Sequence, residues 1–522
     1  MYTKRITDLP LLTSLLALAL SGCGESSSLI DYGPGRDGSA DSNEPQLSDD
    51  DDDFGDDDDT AGSDDDDLPD PPPPKGDPIS VDVEDEACDL VSNQPETWFM
   101  STDDSNSQAA PVQVRERLEA GSMPWGSLRI HEFLNYYSFG FPAAEPDSVR
   151  VVPQLRADPN NPNGYSLGVG VVAPHLDPAE RRPVDITFSV DTSCSMGNDG
   201  IAAVQATMRA VAGSLLEGDT VSIVSWSSQV AIQLPTHTVN GPNDPVLVDV
   251  INDLETEGST NLHAGLVAAY DLAATAQAPG RLNRVILLSD GGANTGVTDQ
   301  DLIAQHADDA EGEGIYLVGV LTPGSGYNDG LMDTITDLGK GAYIYIPDAA
   351  EAERMFSGER FISNLELAAR NVRLQLTLPP GFVLDEFHGE EASQDPTEVK
   401  PQHLAPNDSM LYHMDLIYCT DGLVLDREFV FEVTWEDVDT REPRTELIAV
   451  GFDDLLLDSS AELAKADAII AFAKVFAQIS NSLDGGQAEV TAVQARINTA
   501  LSLLPADADL LEIQALLPTV GN

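Results

Sequence analysis

Apolar and polar positions along this chain follow two periods, and the switches between them divide it into regions. Between about Arg182 and Phe356, the residues Val184, Ile186, Phe188 and Val190 alternate as one face of a strand. Ile201, Val204, Met208, Val211 and Leu215 then recur at helical spacing. Val221–Trp226, the unbroken run Val285–Leu288 and Ile315–Val320 read as strands buried on both faces, as parallel strands between two helical layers must be. Helical patterns over Leu262–Ala276 and Asp301–Glu311 separate them. The alternation predicts an α/β fold with a doubly wound, mostly parallel sheet of Rossmann-like type. Ligands in such sheets sit beyond the carboxyl ends of the strands.

Downstream the pattern is half-buried and antiparallel. Val372, Leu374, Leu376 and Leu378 alternate with polar neighbours, as do Phe429, Phe431, Val433 and Trp435. With Leu411–Tyr418 and Leu447–Val450 they predict a flanking β-rich region, expected to pack with the strands of Val151–Val172. Ser459-Ser460-Ala461-Glu462 offers a capping box, and Leu463–Ala477 and Val490–Leu504 follow as amphipathic C-terminal helices. At the other end, Lys4 and Arg5 precede the apolar run Leu9–Leu20, which stops at Leu20-Ser21-Gly22-Cys23. That run is too short for a stable spanning helix and reads as a signal peptide. Its last four residues resemble the lipobox of bacterial lipoproteins, which implies lipidation of Cys23. Gly24 after the cysteine implies sorting to the outer membrane, with the folded part facing the periplasm or the cell surface.

Residues 24–80 are Ser-, then Asp-, then Pro-rich, and read as an extended tether. The expected organisation is a signal peptide (1–23), the tether (24–80), an N-terminal region (92–182), the α/β domain (183–357), the β-rich region (362–455) and the closing helices (458–522).

The charge removes one class of partner. The 522 residues carry 26 Lys+Arg against 90 Asp+Glu, a net charge of −64, so nucleic acid has no basic face to bind. Thirteen aspartates lie in the runs 49–53, 56–59 and 64–67, and without them the charge is still −51, so the folded part is itself acidic. Lipidation of Cys23 leaves Cys88, Cys194 and Cys419, and an oxidising compartment permits a Cys88–Cys419 bridge. The eight histidines show no HExxH and no paired helical spacing, so zinc is not indicated.

Candidate chemistry falls at the predicted strand ends. Asp191-Thr192-Ser193-Cys194-Ser195 (DxSxS) follows the first strand of the sheet. Gly258-Ser259-Thr260-Asn261 opens the helix near Leu262, and Ser289-Asp290-Gly291 ends the Val285 strand. Hydroxyls and carboxylates are the hard oxygen donors that Mg²⁺ requires. The segment is similar to a von Willebrand factor type A (VWA) domain, whose metal-ion-dependent adhesion site carries these residue types. The resemblance implies metal binding by Asp191, Ser193, Ser195, Thr260 and Asp290. The hydroxyls would contact Mg²⁺ (Mn²⁺ or Ca²⁺ also fit) directly or through water, and the aspartates largely through water. Val114–Gly121 and Ile130–Tyr137 resemble the N-terminal region of bacterial VWA-domain lipoproteins, and the C-terminal pattern resembles that family's C-terminal region.

Two enzyme-like signals do not hold. Gly164–Gly168 satisfies GxSxG, but the extended pattern continues through Val172 where a nucleophile elbow needs a helix, so Ser166 reads as a strand residue. Gly339-Lys340 lacks the earlier glycine of a phosphate loop. The expected protein is therefore not an enzyme. It is a lipid-anchored envelope protein that binds an acidic group of a protein or surface polymer through its cation. The alternative is an assembly scaffold whose VWA domain contacts its own flanks, and a metal-dependent hydrolase ranks behind both.

Overall fold

The computed structural model describes Cys88 and residues 94–121, 128–159, 161–296, 314–339, 341–419, 428–456, 460–481 and 487–517. The leader, the tether and the helix expected over Asp301–Glu311 lie outside these residues, as do Lys340 and Ser459. Described order begins with β1 (Glu96–Ser101) and two helices, Ala109–Glu119 and Ile130–Tyr136. A hairpin of β2 (Arg150–Ala157) and β3 (Gly164–Val172) follows. Ser166 lies within β3, which continues without a helical turn.

The central sheet comprises β4 (Val184–Asp191), β5 (Thr220–Trp226), β6 (Val230–Thr238), β7 (Leu282–Ser289), β8 (Tyr316–Leu321) and β9 (Tyr343–Tyr345), in the order β6-β5-β4-β7-β8-β9. Strands β5, β4, β7, β8 and β9 run parallel, and every residue of β4, β7 and β8 is buried. Helix Gly197–Ser214 lays Val204, Met208 and Val211 against the sheet, as its spacing predicts. The antiparallel β6 was not foreseen. It is an edge strand with Ile232 59% exposed, and Pro235, which cannot donate to a ladder, is tolerated at such an edge.

The remaining strands are β10 (Ala369–Leu378), β11 (Phe382–Phe387), β12 (Glu391–Ser393), β13 (Gln402–Leu404), β14 (Ser409–Tyr418), β15 (Glu428–Glu436) and β16 (Pro443–Gly451). With the N-terminal strands they build two antiparallel sheets, β12-β1-β10-β15-β16 (with β13 also on β10) and β11-β14-β3-β2. Leu167, Val169, Met414 and Leu416 of one sheet share a core with Leu374, Leu376, Phe429 and Phe431 of the other. The β-rich region expected from the alternating pattern is thus a two-sheet sandwich, and the Val151–Val172 hairpin is part of it. Helices Ala461–Asn481, Gln487–Leu503 and Ala508–Leu516 close the fold.

Two ties hold the parts together. Cys88 and Cys419 form a disulfide across 331 residues. Arg181 and Asp219, both buried, form a two-pronged ion pair, and Asp219 also accepts from Val184 N and Leu216 N. Among the described residues no helix is long and apolar enough to cross a membrane.

Candidate metal centre

Parallel pairing sets the strand ends side by side. Asp191 closes β4 opposite Trp226, the last residue of β5, and Val190 lies opposite Leu288 near the end of β7. Beyond the ladder, Thr192 donates its N–H and its hydroxyl to Trp226 O at 2.9 and 3.1 Å. Ser193 is extended, and Cys194–Met196 form a tight turn into helix Gly197–Ser214. Cys194 N donates to Gly258 O, which brings the loop before Thr260 alongside. Asn261 caps the following helix by accepting from Ala264 N, and this fixes where Thr260 points. All five candidate residues meet on this rim.

Three hydroxyl oxygens form a row. Ser193 Oγ and Ser195 Oγ lie 2.9 Å apart, and Ser195 Oγ and Thr260 Oγ1 lie 3.5 Å apart. Bonds of about 2.0–2.1 Å in octahedral geometry place neighbouring ligands about 2.9 Å from each other. The first pair already has that spacing, and the second would have to close by about 0.6 Å. A hard divalent cation fits this donor set, because only oxygen is offered and no imidazole or thiolate is required.

The aspartates lie behind the hydroxyls. Asp191 accepts from Ser193 N at 2.9 Å and from Ser289 Oγ at 2.7 Å, one bond to each oxygen. Asp290 accepts from Gly292 N and Gly326 N at 3.1 and 2.9 Å, again one to each. Each oxygen keeps a second lone pair, enough to accept from a water molecule. Both residues are fully buried. Burial, with Asp290 close by, pushes the Asp191 carboxyl up to about 7 against the pull of its hydrogen bonds. Two buried carboxylates on one rim constitute an electrostatic demand for a cation.

Several supporting residues were invisible in the sequence. Asn294 grips Thr260 from two sides: its Oδ1 accepts from Thr260 N at 2.9 Å, and its Nδ2 donates to Thr260 Oγ1 at 3.3 Å. The backbone N–H groups of Asn294 and Thr295 both donate to Thr260 O. Ser289 positions Asp191, and its Oγ accepts from Gly291 N. The loop after β8 wraps Asp290, and a Cβ on Gly324 would lie 2.3 Å from Asp290 Oδ2. Pro323-Gly324-Ser325-Gly326 carries a turn signal, but nothing in sequence says which carboxylate the turn covers.

Comparison with known proteins gives the class. Residues 185–357 match the von Willebrand factor type A domain family, so the central sheet with its helices is a VWA domain. The chain is similar to uncharacterized protein YfbK of Escherichia coli (strain K12), with 28% identity over 312 residues, 58% of this chain and 53% of that protein. It is also similar to uncharacterized protein sll0103 of Synechocystis sp., with 26% identity over 217 residues, 41% of this chain and 49% of that protein. The chain thus spans about half the length of each of these relatives. Among solved structures it is similar to a von Willebrand factor type A protein from Catenulispora acidiphila, with a TM-score of 0.41 at 14% identity over 81% of this chain and 90% of that one.

Proposed function

We propose that this chain is an envelope lipoprotein, anchored in the outer membrane through Cys23, that captures an acidic group of a protein or surface polymer through a divalent cation held by its VWA domain. Ser193, Ser195 and Thr260 would hold the ion, and Asp191 and Asp290 would order the water around it. Mg²⁺ suits these donors best, and Mn²⁺ or Ca²⁺ also fit. The bound cation supplies an electrophilic position for an incoming carboxylate, because most of its ligands are neutral hydroxyls. The observation that carries this reading is the row of three hydroxyls, one pair of them already at octahedral spacing, backed by two buried carboxylates.

One set of contacts favours the scaffold reading as a second possibility. Asp329 follows directly on Asn328, whose N–H donates to Asp290 O. Its side chain binds Arg129 at 2.8 Å and Gln113 Nε2 at 2.7 Å, both from the N-terminal region. The flank therefore reaches the loop that covers the candidate centre.

Substitution separates the two readings. With Ser195→Ala, a retained fold and the loss of chelator-sensitive capture of envelope partners support adhesion, whereas loss of folding supports the scaffold. Binding is expected to strengthen at moderate salt, because a strongly negative surface repels an acidic ligand until that repulsion is screened. A steep loss with salt contradicts the assignment of the ligand's charge.

A further inference from the structure

The sheet β11-β14-β3-β2 turns Met410, Tyr412, Met414 and Leu416 into the sandwich core. Strand alternation places His413 and Asp415 on its other face, where Asp467 of helix Ala461–Asn481 meets His413. His388 N donates to His413 O just beyond β11, and Glu386 is in register with Asp415. Residues directly opposite share a face, so cross-strand pairing gathers Glu386, His388, His413 and Asp415 into one patch.

The hydrogen bonds of this patch leave two nitrogens over. His413 Nε2 lies 2.9 Å from Asp467 Oδ1, and because a carboxylate only accepts, that nitrogen carries the proton and Nδ1 keeps its lone pair. His413 Nδ1 is buried and makes no hydrogen bond, and the same is true of His388 Nδ1. The His388 and His413 side chains are 0% and 2% exposed, whereas that of Asp415 is 39% exposed and opens the patch to solvent. A cation bound at His413 Nδ1 removes that atom's cost, whereas His388, whose Nε2 faces Asp415 Oδ2, would bind through Nε2 in the tautomer that carries its proton on Nδ1, beside Glu386.

We propose that His388, His413 and Asp415 form a binding site for a divalent transition ion of the zinc class. One ligand atom from each residue lies within 4.8 Å of the other two. His388 Nε2 and Asp415 Oδ2 are 3.0 Å apart, close to the edge of about 3.3 Å that bonds of about 2.0 Å give a tetrahedral zinc site. Two imidazoles and one carboxylate leave a fourth position open. Asp467, 2.9 Å behind His413, orients that ring as carboxylates do behind zinc-bound histidines, and Glu386 Oε1 stands 3.6 Å from His388 Nδ1, on the side of the ring away from the ion. Arg156 holds Asp467 at 3.1 Å and Lys474 holds Glu386 at 2.6 Å, which keeps those carboxylates in the supporting role. The imidazole nitrogens set this patch apart from the all-oxygen VWA rim, so the two centres sort cations by ligand type.

The full chain titrated with Co²⁺, then displaced by Zn²⁺, tests the site. Expected is one equivalent of Co²⁺ with the intense visible bands of four-coordinate nitrogen and oxygen ligation, bleached by Zn²⁺. Octahedral, all-oxygen binding at the VWA rim or on the acidic surface gives only weak bands. His413→Ala should abolish the spectrum, and Asp467→Asn should weaken binding by about 10–100-fold. Asp415→Asn, at a part-exposed position, keeps the test valid if a histidine variant fails to fold, and should weaken binding at least about tenfold. Absence of the intense bands, or an Asp415→Asn protein that binds like the wild type, overturns the proposal.

Discussion

Replacing Asp191 by Asn separates the cost of a buried charge from the benefit of a cation. In metal-free protein the Asp191 carboxyl is raised from 3.8 to about 7, chiefly by burial and further by Asp290. Across that interval the folded state retains a proton that the unfolded chain has released. Stability therefore falls as pH rises from about 4 and levels off above about 7. At about 1.4 kcal/mol per pH unit, the full loss is on the order of 4 kcal/mol. Asn carries no charge and escapes it. The variant keeps an acceptor for Ser193 N but turns an amide towards Ser289 Oγ, a mismatch of about 1 kcal/mol. In EDTA at about pH 8, urea denaturation should then show Asp191→Asn more stable than wild type by roughly 3 kcal/mol, with the difference passing through zero at about pH 4.5 and the variant the less stable, by up to about 1 kcal/mol, at lower pH. Mg²⁺ should close or reverse the gap, because an ion at 100 times its Kd stabilises only the protein that binds it, by about 2.7 kcal/mol. A difference between the two proteins that does not change with pH in EDTA, or equal stabilisation of both by Mg²⁺, would refute the reasoning.

Two further outcomes follow from particular contacts. Asp219→Ala strands the buried Arg181 guanidinium and should lower stability by about 3–5 kcal/mol in the same denaturation assay; a loss below about 1 kcal/mol would show that the pair is not buried in solution. Gly324→Ala drives a Cβ into Asp290 and should weaken Mg²⁺ binding at least about tenfold by calorimetry, or about 1.4 kcal/mol, whereas Gly330→Ala, whose Cβ meets nothing within 4 Å, should leave it unchanged.

Much of the central domain was legible because its strands are buried on both faces. Runs such as Val285–Leu288 need no partner to be recognised, and Asp191 and Asp290 stand at strand ends and Thr260 at a helix start that the pattern marks. The metal role of these residues with Ser193 and Ser195 rested on the resemblance. The edge strand β6 was missed because an exposed strand carries no such run. Asn294 and Gly324 were missed because they act on Thr260 and Asp290 from other loops, and loop closure leaves no periodic trace. The histidine patch shows the same limit more sharply. A search for helical zinc spacing passes over His388 and His413, which meet only through the register of β11 with β14. In retrospect Glu386-Phe387-His388 and His413-Met414-Asp415 each place two ligand-type residues on one strand face, but nothing local says that the two strands pair.

The central claim is that three hydroxyls from separate turns grip one cation and leave a corner free. Crystals grown with Mn²⁺ and measured at its absorption edge test this most directly. The account predicts a single anomalous peak bounded by Ser193 Oγ, Ser195 Oγ and Thr260 Oγ1, with waters held by Asp191 and Asp290 beside it and one further position open to solvent water or to a carboxylate from another molecule. No peak at the rim, or a peak whose every position is filled by the chain's own atoms, would contradict it.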